Sequence, residues 1–418
     1  MTDEVLSDRA LGRATLARQI LLEREDRDLT AVVDHLVGLQ AQVPHNPYTA
    51  LWSRLDPFDP MVLSGLIEDR VLVRIVTLRG TLHLVTADDC LVLRPLVQPV
   101  LDGELARHQT FAPLLAGVDL DPIMAVARPV LDERPFTGPQ LRAFMAERFP
   151  DHDAAALAFA CRNRLAMVQV PPRGLWGRGG QVTTMTAEGW LGRPVVAEPS
   201  IDAVVLRYLA AFGPATVADV ATWSRLTALR EVLDRLRPKL RTFRDERGRE
   251  LFDLPDAPRP DPDTPAPVRF LPEYDNVLLS HADRSRFVRE EHRDEIGLAF
   301  DRGQGSFLAD GIVRGAWRLD RDATSGDAVL TVRAVGVLSP REQGAIEAEG
   351  ARLLGFLAAG AKPEVRVVAA NGGARVSRTN KTQGHTRGPT AGPGAAASGE
   401  GTVLSATYDD NESGAGAT

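Results

Sequence analysis

Cysteine is almost missing from this sequence: its 418 residues hold two, Cys90 and Cys161. They stand alone, with no CxxC spacing and no histidine cluster. That excludes a disulfide framework or a zinc site and reads as two small core residues in a reducing cytoplasm. No run of eighteen apolar residues occurs, so no membrane-spanning helix is expected. The N-terminus, Met1-Thr2-Asp3-Glu4, is acidic and lacks the apolar centre of a signal peptide, so the expected location is cytoplasmic. The phosphate loop GxxxxGK[ST] and the metal helix HExxH are absent. Gly177, Gly179 and Gly180 miss the GxGxxG spacing, Gly303-Gln304-Gly305 reads as a loop, and no Ser-His-Asp arrangement can be assigned. Neither a cofactor nor a metal is expected.

An excess of positive charge is lacking as well, the net charge being −7. This argues only mildly against a nucleic-acid partner, because phosphate contacts need a local basic face, not a basic chain. What is present is the composition of a globular chain, 44% hydrophobic and 25% charged, long enough for two to four domains.

Apolar periodicity predicts helices over residues 8–22 and about 30–39, then a short helix at 48–55 and one opened by Asp59-Pro60. A hairpin follows: residues 71–76, a turn at Leu78-Arg79-Gly80, and residues 81–85. Helices followed by a hairpin are the pattern of a winged helix. The pattern recurs twice. The second copy has helices at 122–131, from Thr137, and at 154–164, with strands 167–170 and 181–184 flanking the loop 171–180. The third has helices at 201–212, 217–223 and 227–235, with strands 240–243 and 250–253. All three hairpins carry arginine: Arg74 and Arg79; Arg173 and Arg178; Arg241, Arg244, Arg247 and Arg249. A single such hairpin is ordinary surface charge, but three in tandem favour a surface that tracks phosphates. A proline-rich stretch over 256–267 then leads to strands at 268–271, 277–279, 306–308, 311–319 and 328–334, a helix at 340–359 and a strand at 364–368. The expected fold is α+β, with tandem winged-helix repeats and a C-terminal β-rich partial barrel. The expected divisions are 1–118, 119–198, 199–256 and 257–370, with a disordered Gly/Ala/Ser/Thr tail over 371–418.

One stretch stands out, His35 to Tyr48. It reads as the end of an amphipathic helix broken by Pro44 and Pro47, and it presents Gln40, Gln42, His45 and Asn46. A buried carboxamide must be hydrogen-bonded or it costs free energy, so the pair is either structural glue or aimed at a ligand. The Gln-x-Gln spacing carries nothing by itself, since chance supplies it in roughly one such chain in three. His45 and Asn46 either complete a polar cluster or cap the next helix, the cap being the simpler reading. Arg79 and His83 either reach phosphates or pack in the turn. Tyr48 and Trp52 read as core. Glu273, Tyr274, Asp275 and Asn276 read as a turn capping its own backbone in preference to an acid/base or metal site.

Five blocks keep their order along the chain: Gly38-Leu39-Gln40-Ala41-Gln42 with Pro47 and Tyr48; Thr77-Leu78-Arg79-Gly80-Thr81-Leu82-His83-Leu84; Phe212-Gly213-Pro214-Ala215-Thr216; Leu271-Pro272-Glu273-Tyr274-Asp275-Asn276; and Asp310-Gly311-Ile312-Val313-Arg314-Gly315-Ala316-Trp317. Over roughly residues 5–370 they resemble the AlkZ/YcaQ-like DNA glycosylases, a group also labelled winged helix DNA-binding domain proteins. The resemblance implies a curved body of tandem winged helices with a β-rich domain attached, acting on double-stranded DNA with alkylated bases, and the chain is expected to be a monomer. The resemblance also implies a Gln-x-Gln or Gln-x-Asp catalytic centre, here Gln40 and Gln42 of the Gln-x-Gln branch. An N7-alkylated purine is already cationic and leaves as a neutral base, so no general acid is needed. Two carboxamides then suffice to orient water near C1′ of an oxocarbenium-like transition state. Bulky adducts and interstrand crosslinks extend the same substrate class, in DNA repair or self-resistance. The competing expectations are a non-catalytic winged-helix regulator and a protein that sequesters a DNA-damaging small molecule. A dedicated regulator would dimerise on half-sites, and no heptad helix for that is evident.

Overall fold

The computed structural model describes residues 4–301, 303–322, 327–360 and 363–369. The expected disordered tail over 371–418 lies outside them. β1 (Val5–Leu6) leads into α1 (Asp8–Arg18), opened by the Ser7 side chain accepting from the Ala10 N–H. α2 (Leu29–His35) starts on Asp28 in the same way. It ends earlier than its periodicity predicts. Val37 (φ 53°) and Gly38 (φ 86°) are left-handed, and their N–H groups donate to Asp34 O (3.0 Å) and Val33 O (2.9 Å). That is the Schellman way of closing a helix. A Cβ at Gly38 would lie 2.6 Å from Val85 Cγ1, so only glycine fits there. The expected helix over 30–39 is thus corrected: it stops at His35, and the chain leaves as strand β2 (Leu39–Gln40).

α3 (Asn46–Trp52) and α4 (Pro60–Glu68) follow, the latter with Asp59 accepting from the Met61 N–H and proline in its first turn. β3 (Leu72–Val76) and β4 (Leu82–Thr86) form the expected hairpin around a single 3-10 turn, Leu78–Gly80. β4 also pairs with β2, setting Gln40 opposite His83. Helices α5 (Ala87–Leu96), α6 (Gln98–Arg107) and the short α7 (Ala112–Leu115) were not among the expected elements.

The second copy comprises α8 (Leu120–Glu133), β5 (Phe136–Thr137), α9 (Gly138–Arg148), α10 (Ala154–Arg164), β6 (Met167–Gln169), β7 (Thr183–Thr186) and α11 (Ala187–Leu191). Thr137 and Gln140 make a reciprocal capping box at the start of α9. β3 pairs with β6, so the first two hairpins are parts of one six-stranded sheet, ordered β2-β4-β3-β6-β7-β5.

The third copy has α12 (Ile201–Phe212), α13 (Val217–Ser224), α14 (Leu229–Leu236), β8 (Arg241–Asp245) and β9 (Glu250–Asp253). β1 joins β8 in parallel. Tyr208, Phe212 and Trp223 share one core with Val73, Ile75 and Val85, which ties the third copy to the back of the first sheet.

β10 (Arg269–Leu271), α15 (Asn276–Leu279), α16 (Arg293–Asp301), β11 (Gly305–Ala309), β12 (Ile312–Arg321), β13 (Ala328–Ala334), α17 (Pro340–Leu357) and β14 (Pro363–Ala369) complete a mixed α+β fold. Residues 277–279 are helical, not the expected strand, because the Asp275 side chain caps them by accepting from the Val277 N–H (3.1 Å). Among the described residues the sheet is an open ladder, β10-β11-β12-β13-β14, that does not close into a barrel. β14 runs parallel to β13 because α17 carries the chain across between them.

Candidate active site

β2 is an edge strand, and both glutamines turn towards the residues joining β3 to β4. Gln40 Oε1 accepts from Arg79 Nη2 at 2.8 Å, and Gln42 Oε1 takes a longer contact, 3.4 Å, from the Leu82 N–H. Ala41 between them is held from both sides. Its N–H donates to Leu82 O (2.7 Å) and its carbonyl accepts from Arg74 Nη2 (2.9 Å). Gln40 is 9% exposed and Gln42 is half-buried, so the second amide is the more open of the pair.

Arg74 and His83 do not lie on an outer phosphate-tracking face, being 2% and 1% exposed. Arg74 is a strut: besides Ala41 it donates to Arg173 O at 3.3 Å. Arg79 is also turned inward. Its guanidinium donates to Gln40, to Trp223 O (3.1 Å) near the C-terminal end of α13, and to His83 Nε2 (3.0 Å). An arginine only donates, so Nε2 of His83 is the acceptor and its proton sits on Nδ1, which donates to Thr81 O (2.9 Å). Burial, followed by the adjacent Arg79, pulls the His83 pKa down to about 3, and the ring is neutral. Burial, with Arg225 next in size, lowers Arg79 to about 10, still charged near neutrality. The carbonyl end of α13 favours that charge.

The loop over 171–180 is docked onto α3 and α4 by a chain of hydrogen bonds. The Trp176 N–H donates to Ser64 Oγ (2.9 Å), and Tyr48 Oη donates to Gly174 O (2.9 Å). Ser64 Oγ therefore donates to Tyr48 Oη (2.9 Å). Tyr48 is buried, as expected of a core residue, and Trp52 is 9% exposed. Gly174 adopts φ 97° under Arg74, where a Cβ would lie 2.8 Å from Arg74 Cδ. Arg173 is half-buried, donating to Gly180 O (3.1 Å), and Arg178 is exposed.

His45 and Asn46 do not cap α3; no side-chain cap bond is made there. The exposed His45 ring lies 6.3 Å from both Tyr48 and Trp176, and its pKa is lowered by partial burial and then by Arg74, Arg173 and Arg321. Three guanidinium charges thus act on His45, three residues along the chain from Gln42. Asn46 Nδ2 instead donates to Glu273 O at 2.7 Å.

That contact belongs to a clamp whose long-range partners the sequence did not reveal. Asn276 Nδ2 donates to Gly38 O (2.7 Å), holding the start of the glutamine strand as Asn46 holds the segment after it. Asp275 meets Arg54 through two hydrogen bonds of 2.9 Å, with both side chains wholly buried. The block 271–276 does cap its own backbone, as expected, but its side chains also fix the site.

The model of the AlkZ-like DNA glycosylases matches residues 33–356, from within α2 through the glutamine strand and the clamp to near the end of α17. The chain belongs to the AlkZ-like DNA glycosylase family. In fold it is similar to the DNA glycosylase AlkZ of Streptomyces sahachiroi, with a TM-score of 0.70 and 22% sequence identity over 87% of this chain and 100% of that one. No curated protein matches in sequence. Membership supports DNA glycosylase activity and implies a DNA substrate. In this AlkZ-like chain the third hairpin differs from expectation. Its Arg247 is paired with Asp8 (3.0 Å), Arg241 with Glu4 (2.8 Å) and Arg249 with Asp245 and Asp283. Arg244 donates to Gly248 O (2.9 Å). The parallel pairing of β1 with β8 brings Glu4 and Asp8 alongside, which no local pattern announces. Arg247 in particular is paired with Asp8 while remaining exposed.

Proposed function

We propose that this AlkZ-like chain hydrolyses the N-glycosidic bond of cationic N7-alkylated purines in double-stranded DNA, with bulky adducts and crosslinks as extensions of the class. One observation carries the reading. Gln40 and Gln42 stand two residues apart, close in sequence to a His45 ring that feels three guanidinium charges, and among the described residues no carboxylate bonds to either carboxamide. With no carboxylate on either amide, the centre suits a leaving group that needs no protonation, and an N7-alkylpurine already carries the positive charge it loses on departure. Water held by the amides attacks C1′ as the bond to N9 breaks, and the electron pair neutralises the purine. The three helix-and-hairpin copies are read as winged helices, dividing the chain near residues 118, 198 and 256. Arg173 and Arg178 supply the phosphate contacts nearest the site, and the protein acts as a monomer.

The test uses duplex DNA carrying N7-methylguanine and measures free base released in a single turnover. Gln40→Ala and Gln42→Ala should each slow release by about a hundredfold or more, the usual effect of removing one preorganised polar group, while DNA affinity stays within a few-fold of wild type. Tight binding without release by the wild-type protein would favour the non-catalytic regulator.

A further inference from the structure

The two glutamines are not equivalent. Gln40 presents its oxygen to a guanidinium, and because an arginine has no acceptor this orientation of the amide is fixed by chemistry, whichever way a flat carboxamide is otherwise drawn. Arg79 is itself held in a left-handed turn (φ 60°) by Trp223 O and by the acceptor nitrogen of His83. No described residue accepts from Nε2 of Gln40. Gln42 is the reverse case: its oxygen carries only the long 3.4 Å contact from Leu82 and keeps nearly all of its accepting capacity.

We infer that Arg79 is a positioning residue that makes Gln40 the hydrogen-bond donor of the site and leaves Gln42 as the acceptor, so that one water is held between unlike groups. This rests on the glycosylase reading. The bond to a cation draws density from the Gln40 amide, weakening its oxygen as an acceptor and strengthening its N–H as a donor. The nucleophilic water accepts from Gln40 Nε2 with one lone pair and donates one O–H to Gln42 Oε1. Its second lone pair forms the bond to C1′ as the C1′–N9 pair leaves with the purine. The proton released from the new hydroxyl passes along the Gln42 contact to solvent. His83 keeps the geometry because, buried and with its proton on Nδ1 facing Thr81 O, it offers Arg79 an acceptor at Nε2.

The experiment is single-turnover release of N7-methylguanine by the full-length wild type, Arg79→Met, Arg79→Lys, Gln40→Glu and Gln42→Glu, each with a pH profile, a DNA dissociation constant and a melting curve. Gln40→Glu keeps the Arg79 contact as an ion pair but deletes the donor, so release should fall by about a hundredfold or more with no loss of melting temperature and no new limb in the pH profile. Gln42→Glu keeps an acceptor, so it should release base at least about tenfold faster than Gln40→Glu. Its rate should also rise with pH through the ordinary carboxylate range. Arg79→Met should slow release at unchanged DNA affinity, with part of the rate restored in Arg79→Lys; if Arg79→Met does not fold, the two glutamate variants decide. Equal losses in Gln40→Glu and Gln42→Glu, or a wild-type rate in Arg79→Met, overturn the assignment while leaving the glycosylase intact. No release by the wild type at any excess overturns the glycosylase reading and this assignment with it.

Discussion

Replacing Asp275 with alanine should be among the most damaging single changes in the protein, although Asp275 touches neither glutamine. Each of its two oxygens accepts a 2.9 Å bond from Arg54, and the remaining guanidinium contacts are Ala50 O (2.9 Å) and Gln19 Oε1 (3.3 Å). Arg54 Nε already lacks a partner. With both side chains wholly buried, the truncation leaves a guanidinium charge without its counter-ion where water does not enter. Breaking such a pair costs about 3–5 kcal/mol, and losing the α15 cap costs about 1 kcal/mol more. Against a total of about 5–15 kcal/mol for a folded domain, this is a large fraction. Urea unfolding followed by tryptophan fluorescence measures the cost, and the double variant Arg54→Met with Asp275→Leu supplies the control. Replacing both charges by apolar groups of similar volume should recover most of the loss. A cost under about 1 kcal/mol for Asp275→Ala would refute the argument, as would a double variant no better than the single one.

Gly38→Ala forces a Cβ into left-handed backbone and against Val85, so it should cost at least about 2 kcal/mol and slow base release more than it weakens DNA binding; melting and single-turnover assays check both. His83 and His281 are each held down to about 3, chiefly by burial. Below about 6.5 the unfolded chain binds protons that these folded rings refuse, so stability must fall as the pH drops from 7 to 5, by about 2 kcal/mol for each ring. Denaturation curves that are flat or improve across that window would contradict the burial of both rings. Arg178→Ala should reduce the salt dependence of DNA binding by about one counter-ion, whereas Arg247→Ala should leave the slope unchanged because Asp8 already balances it; titrations at several salt concentrations distinguish the two.

Local chemistry was readable and long-range chemistry was not. The cap residues Asp59, Thr137 and Thr216 each lie next to the helix they start, and the expected helices begin on them. The open topology of the C-terminal sheet and the fusion of the first two hairpins depend on pairings between distant strands, which periodicity does not report. At the site, the sequence singled out Gln40 and Gln42 but assigned them to a helix end. The error came from Val37, a β-branched residue in left-handed backbone, where a helix stop is usually announced by glycine. Arg74 and Arg79 look like surface charges until the carbonyls that receive them are known, and those belong to Ala41, Arg173 and Trp223. His83 gave no sign of its neutral state for the same reason.

The clamp also sets an order of assembly. The glutamine strand leaves the ribosome early, yet the groups that hold it, Glu273 O and the side chains of Asp275 and Asn276, are made more than 200 residues later. Until residue 276 has emerged, Gly38 O and Asn46 lack these partners and Arg54 lacks its counter-ion. A chain cut short before that point keeps Arg173 and Arg178, read as phosphate contacts, but not the bonds that hold Gly38 and Asn46 on either side of the glutamines. Such incomplete copies are expected to release base far more slowly than the full chain.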